Sequence, residues 1–101
     1  MAQKDLAEKR IALVTGANRG IGLEIVRQLA RLGLTTVLAA RDLAKGQAAA
    51  TSLSAEGLDV PAVAIDVTEA ESVRVGVADV LGRFGRIDVL VNNAGILKEG
   101  F

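Results

Sequence analysis

Short apolar runs alternate with segments of helical period along this sequence, and that alternation restricts the fold more than any other feature. Residues 11–15 (Ile-Ala-Leu-Val-Thr), 35–40 (Thr-Thr-Val-Leu-Ala-Ala), 60–65 and 87–91 each read as a strand buried on both faces, the pattern of a parallel sheet. Between the first two runs, Ile21, Ile25, Leu29 and Leu32 fall on one helical face and Glu24, Gln28 and Arg31 on another. Gly33 then stands where a left-handed cap is wanted. Asp42 is placed to cap a second helix running to about Glu56, with Gly57 as its stop. Thr68 and Glu71 have capping-box spacing ahead of a third helix, whose apolar stripe is Val73, Val77, Val80, Leu81 and Phe84. Gly76 inside that helix is expected to cost about 1 kcal/mol relative to Ala. Pro61 falls near the start of its strand, where a missing donor does least harm. Strands joined in this way by helices call for right-handed crossovers. The expected product is a doubly wound parallel α/β sheet of order 3-2-1-4, a single domain over residues 1–101.

The strongest local motif is Thr15-Gly16-Ala17-Asn18-Arg19-Gly20-Ile21-Gly22. It leaves the first strand and opens the first helix, the setting that a dinucleotide fingerprint requires. Gly16 permits a tight turn, Gly20 lets backbone approach a ligand, and Gly22 allows close packing of helix on strand. Free N–H groups of the first helical turn, at the positive end of the helix dipole, then face a pyrophosphate. The spacing is Gly-x-x-x-Gly-x-Gly rather than Gly-x-Gly-x-x-Gly, and there is no Gly-Lys-Ser/Thr ending, so a P-loop NTPase is excluded. A glycine-rich strand-to-helix turn that holds no ligand is the plainer alternative.

Composition removes several chemistries. The 101 residues contain no His, Cys, Tyr or Trp, so disulfides, thiol catalysis and Cys-based metal sites are excluded, and the commonest general acid-base side chain is missing. No metal site is expected. Twelve acidic residues balance twelve basic ones, which leaves no electrostatic footprint for nucleic acid or an anionic membrane. No apolar run has the length of a signal peptide or membrane helix, and a cytoplasmic protein is the expectation.

Three motifs in order resemble the short-chain dehydrogenase/reductase family. Thr-Gly-x-x-x-Gly-Ile-Gly is similar to its cofactor signature. Asp66-Val67 resembles its adenine-contacting pair, and Asn92-Asn93-Ala94-Gly95 resembles its Asn-Asn-Ala-Gly motif. The likeness covers residues 10–96. The segment from Arg41 (Arg-Asp-Leu-Ala-Lys-Gly-Gln-Ala) is similar to the carbonyl-reductase-like branch. The resemblance implies a Rossmann-type domain with Gly16, Asn18, Arg19, Gly20, Ile21, Gly22, Arg41, Asp66, Val67, Asn92, Asn93, Ala94 and Gly95 at the cofactor. Ala40 occupies the position where NAD-preferring members carry Asp, and Arg41 and Arg19 offer two guanidinium groups to a 2′-phosphate. NADP is therefore favoured over NAD, and S-adenosylmethionine, with no 2′-phosphate, is disfavoured. Asp42 is the route by which NAD could win, were it to swing towards the ribose. Asp66, Asn92 and Asn93 also read as turn or cap residues.

In the family a Ser and a Tyr-x-x-x-Lys motif lie downstream. Lys4, Lys9, Lys45 and Lys98 stand in no such motif. The resemblance thus implies the cofactor-binding half of an NADPH-dependent carbonyl reductase or alcohol dehydrogenase, catalytically incomplete and with no catalytic residue to assign. A ligand-free structural or interaction module on a half-Rossmann sheet is the alternative. A fifth strand would normally cover strand four, so self-association through that open edge is expected.

Overall fold

The computed structural model describes residues 10–93. Its strands are β1 (Ile11–Val14), β2 (Thr35–Ala40), β3 (Ala62–Ala64) and β4 (Val89–Val91); its helices are α1 (Gly20–Arg31), α2 (Leu43–Ala55) and α3 (Ala70–Phe84). Every strand pair is parallel and the order is β3-β2-β1-β4, as the alternation of runs predicts. Strands β3 and β4 are shorter than their apolar runs. Pro61 lies just ahead of β3, where its carbonyl still accepts the Leu38 N–H at 2.9 Å.

Both faces of the central strands are apolar because both are covered. Val14, Leu38 and Ala40 face α1 and α2 and pack with Val26, Ala49 and Leu53. Ile11, Leu13, Val37 and Ala39 face the opposite side and pack with Val63, Ile65 and Val80 beneath α3. At the amino ends of β1 and β4, the Asp88 carboxylate accepts the Ile11 N–H at 2.7 Å while the Asp88 N–H bonds the Ile11 carbonyl at 2.8 Å. Hydrogen bonding to Arg86 and then to Ile11 holds the Asp88 carboxyl below its ordinary pKa.

Helix α1 is rotated from the expected face. Gly22 and Val26 are its buried residues, Ile25 and Leu29 flank them, and Ile21 and Leu32 are each 68% exposed. The physical reason lies at Gly22, where the helix comes closest to the chain beneath it and so fixes the line of contact one residue away from Ile21. Leu32 lies past the last turn, as the C-cap residue. The polar side ties α1 to the end of α2: Arg27 grips Glu56 through Nε at 2.8 Å and Nη2 at 3.0 Å, and Arg31 reaches the same carboxylate at 3.2 Å. Asp42 caps α2 as expected, accepting the Ala44 N–H at 2.9 Å, and Gly33, Gly57 and Gly85 end α1, α2 and α3 at positive φ.

Helix α3 departs from expectation twice more. It has Glu69 as N-cap residue with no side-chain cap bond. The Thr68 N–H and hydroxyl both bond Asp66 Oδ1, at 2.9 and 2.6 Å, and Glu71 pairs with Arg74, so the Thr68–Glu71 capping box does not form. The acidic turn residue has captured the hydroxyl the box needs. Leu81 is 44% exposed, outside the buried stripe.

Gly76 is not a propensity defect. A Cβ there would stand 2.3 Å from Ile65 Cγ1 and 3.1 Å from the Ala64 carbonyl oxygen, and Ile65 is itself buried. Glycine is what lets α3 lie on β3. We expect Gly76→Ala to destabilise the fold by about 1–3 kcal/mol through overpacking. Gly82→Ala, on the same helix with nothing within 4 Å of its Cβ position, is expected to stabilise by up to about 1 kcal/mol. Urea unfolding of both variants checks this pair; equal effects would remove the packing explanation.

Candidate functional site

A parallel sheet brings all of its strand-to-helix connections to one edge. Here the carboxyl ends of β1, β2, β3 and β4 deliver residues 15–22, 41–42, 66–67 and 92–93 to the same rim. That is where open α/β sheets bind ligands.

The glycine turn is held from two sides. Gly16 and Gly20 have φ of 61° and 63°, conformations that glycine adopts without strain. The buried Ala17 anchors the turn, its N–H bonding the Ala39 carbonyl at 3.1 Å. From the β4 side, the Thr15 hydroxyl bonds Asn92 Oδ1 at 3.0 Å, and Asn93 Nδ2 donates to the Gly16 carbonyl at 3.0 Å. Asn93 is 2% exposed, so this amide stands inside the fold. A Cβ on Gly22 would lie 2.5 Å from the Gly16 oxygen and 2.7 Å from Asn93 Nδ2, whereas one on Gly20 would meet nothing within 4 Å. Gly22 therefore packs α1 on the turn itself and its asparagine brace, and Gly20 leaves an open surface.

The amino end of α1 suits an anion. Its N-cap residue Arg19 is extended, makes no side-chain cap bond, and no acidic residue stands in the first turn. In α2 that place is taken by the Asp42 carboxylate. The first-turn N–H groups of α1, which have no intrahelical partner, thus meet no carboxylate of their own helix.

Beside the turn, Asn18, Arg19, Arg41, Asp42 and Lys45 line a cleft of about 310 Å³. Sequence reading placed Asn18, Arg19 and Arg41 here but passed over Lys45. The signal was its position four residues after Arg41, on the first turn of the helix that Asp42 caps. Asp42 Oδ1 accepts from the Ala44 N–H at 2.9 Å and the Lys45 N–H at 3.4 Å. Ala40 is fully buried, and a Cβ on Gly46 would lie 3.2 Å from its own Cβ. No acidic side chain thus stands at the end of β2 itself.

Asp66 and Val67 follow β3 separately from that cleft. Asp66 Oδ1 organises the turn through Thr68, and the Asp66 N–H bonds Ser72 Oγ at 2.8 Å. Val67 and Asn92 share with Thr15, Leu13, Val73 and Leu90 an apolar trough of about 280 Å³ between α3 and β4. Ala94 and Gly95 lie outside the described residues, as do Lys4, Lys9 and Lys98.

The sequence model of the short chain dehydrogenase family matches residues 10–101, and the chain belongs to that family. It is 52% identical over 88 residues to carbonyl reductase [NADPH] 1 of Macaca fascicularis, covering 86% of this chain and 32% of that protein. It is 47% identical over 89 residues to a putative ketoacyl reductase of granaticin polyketide synthase from Streptomyces violaceoruber, covering 88% and 33% respectively. The chain thus spans about a third of the length of these curated relatives. Among solved structures, a metagenomic short-chain oxidoreductase in complex with NADP superposes with a TM-score of 0.77 at 41% identity, covering 84% of this chain and 38% of that one. An actinorhodin polyketide ketoreductase with NADPH gives 0.80 at 39%, covering 92% and 34%.

The unequal surroundings of the two glycines yield a direct test. Gly22→Ala should lower stability more than Gly20→Ala, because backbone oxygen and a buried amide must move for the first. The second incurs mainly left-handed backbone strain of about 1–2 kcal/mol. Thermal unfolding of the two variants reads the order; a reversed order would show that Gly22 is not the contact that seats α1.

Proposed function

We propose that this chain binds NADP(H) across the carboxyl ends of its strands, as the cofactor-binding portion of a short-chain dehydrogenase that reduces carbonyls or oxidises alcohols. The observation that carries this reading is the cleft in which Arg19 of the glycine turn and Arg41 after β2 face a common space. One arginine stands between the fingerprint glycines Gly16 and Gly20, and the other stands where a dinucleotide fold holds the adenosine ribose. Two guanidinium groups there make charge-assisted bonds to a 2′-phosphate that NAD lacks. The pyrophosphate lies over Gly20 at the uncapped amino end of α1. Asp42 follows Arg41 rather than ending β2, and its Oδ1 is held on the first turn of α2, away from the place of the fully buried Ala40. The relatives named with NADPH and the neighbour in complex with NADP support the same choice.

The nicotinamide supplies the hydride when the cofactor is bound. Hydride addition to a carbonyl develops negative charge on oxygen that a nearby acid must neutralise. These 101 residues contain no Tyr and no His for that role. The residues in hand bind and orient the cofactor; by themselves they do not turn over.

Calorimetric titration should give tighter binding of NADP(H) than of NAD(H). Arg41→Ala should weaken NADP by about 1.5–3 kcal/mol, roughly ten- to a hundredfold in Kd, and leave NAD unchanged. Equal affinities in the parent chain would defeat the assignment. With NADPH and a panel of aldehydes, ketones and quinones, no cofactor oxidation is expected. Turnover that Gly16→Val abolished would show that catalysis needs nothing more than these residues.

We also propose that copies of this chain associate through β4. That strand is an edge of the described sheet, with Leu90 63% exposed, and an edge with apolar side chains favours pairing. Light scattering at high concentration should report a dimer; a clean monomer would overturn the proposal.

A further inference from the structure

Asp66, the second residue past β3, is held through each of its polar groups. Its N–H donates to Ser72 Oγ at 2.8 Å and its carbonyl accepts the Glu69 N–H at 3.0 Å. Its Oδ1 accepts the Thr68 N–H and hydroxyl at 2.9 and 2.6 Å. Thr68 and Glu69 belong to the same turn as Asp66, whereas Ser72 lies within α3, on its first turn. The Ser72 bond therefore ties the end of the strand to the body of the helix.

Ser72 reaches Asp66 because of the way α3 lies on β3. Residues four apart share a helical face, and Ser72, Gly76 and Val80 form such a row, with Gly76 and Val80 buried. Gly76 sits so close to Ile65 that a Cβ on it would stand 2.3 Å from Ile65 Cγ1. One turn towards the amino end of α3, the same row meets the next residue of the chain leaving β3. The Ile65 N–H still bonds the Ala40 carbonyl of β2 at 3.0 Å. The Ser72 hydroxyl takes over one residue later, where the sheet leaves off.

We propose that Ser72 is a positioning residue for cofactor binding: its hydroxyl fixes the Asp66–Val67 backbone at the rim, where the adenine base of the dinucleotide is seated. The inference rests on the NADP(H) reading above and deepens it. In that reading the pyrophosphate lies at the amino end of α1 and the adenosine ribose at the end of β2. The base then leaves the ribose on the side away from its 5′ linkage. The next strand in that direction is β3, whose end carries Asp66 and Val67. A seat that is ordered before the base arrives loses no binding energy to its own ordering. Adenine is common to NADP and NAD, so Ser72 acts on both cofactors alike, unlike Arg41.

Titration of the full chain with NADP+ and NAD+ tests the assignment, and saturation-transfer NMR reads the adenine and nicotinamide protons of bound NADP+ separately. Ser72→Ala removes the acceptor and puts a better helix former in its place. The expected result is a rise of about three- to tenfold in both Kd values, on the scale of one hydrogen bond, with the ratio between the cofactors unchanged. The adenine protons should lose saturation relative to the nicotinamide protons, and Ser72→Thr should restore both readouts. Unchanged Kd values in Ser72→Ala would overturn the role of Ser72 and leave the NADP(H) reading standing, as would weakening confined to NADP+. Weakening of both cofactors with the parent ratio of adenine to nicotinamide saturation would reduce Ser72 to a structural part of α3 and overturn its role at the base. A parent chain that binds neither cofactor would overturn both readings.

Discussion

The close seating of Gly22 on the Gly16 carbonyl is the contact on which the rest of this rim depends. It brings α1 down to the backbone of the turn that precedes it, a distance that no side chain at Gly22 would permit. The same carbonyl accepts the Asn93 amide, so one peptide group is shared by the helix packed above it and the strand end beside it. Thr15 repeats the connection one residue earlier through Asn92. The glycine turn is thus braced by β4 although it grows from β1, and its shape is set both by the helix it opens and by a strand end 77 residues further along the chain. Such bracing matters because a binding turn that must be ordered by its ligand loses part of the binding energy to that ordering.

The sheet order and the rim were legible because they follow from local rules that long-range packing does not oppose. Apolar runs without a polar period can hide both faces only between helices, and parallel connections then place every motif at one edge. Gly33 and Gly57 were equally readable, since a helix end at positive φ is a local demand. What escaped were features fixed by contact. The face of α1 was set by Gly22, which carries no hydrophobicity to betray it, so counting apolar residues put Ile21 inside. Gly76 showed the same blindness: helix propensity marks glycine as a defect, and only Ile65, eleven residues earlier, makes it a requirement. The Thr68–Glu71 spacing was real but lost to Asp66, whose carboxylate took the hydroxyl first. Lys45 was passed over because a lone lysine on a polar turn carries no signal until Arg19 and Arg41 are seen lining the same cleft.

Charge placement separates the part of this surface that holds the fold from the part that faces a ligand. Glu56 draws Arg27 and Arg31 together and is held below its ordinary pKa chiefly by the Arg27 hydrogen bond. Asp88 is held low in the same way by Arg86, assisted by the Ile11 N–H. Both are exposed networks, and pairs of this kind add little stability each. Their consequence is organisational: they consume Arg27 and Arg31 on α1 and Arg86 beside the amino end of β4. Apart from Arg10, just ahead of β1, the positive charge left over among the described residues lies at the carboxyl ends, beside a helix amino terminus that no side chain caps.

A net charge near zero therefore says little about whether this chain attracts anions. Dipoles and cations at one end of a sheet act together at short range, while the compensating carboxylates are engaged elsewhere and screened over about 10 Å at ordinary ionic strength. Asp42 is the instructive exception, since it stands in the cleft itself. A carboxylate free to rotate there would oppose a phosphate and invite a ribose hydroxyl instead. Bound to the Ala44 and Lys45 N–H groups, it gives up its oxygen to backbone donors that α2 would otherwise leave unsatisfied. The helix cap and the cofactor preference are then one arrangement. The carboxylate that starts α2 commits its Oδ1 to that helix, and Arg19, Arg41 and Lys45 bring three cations to the same cleft.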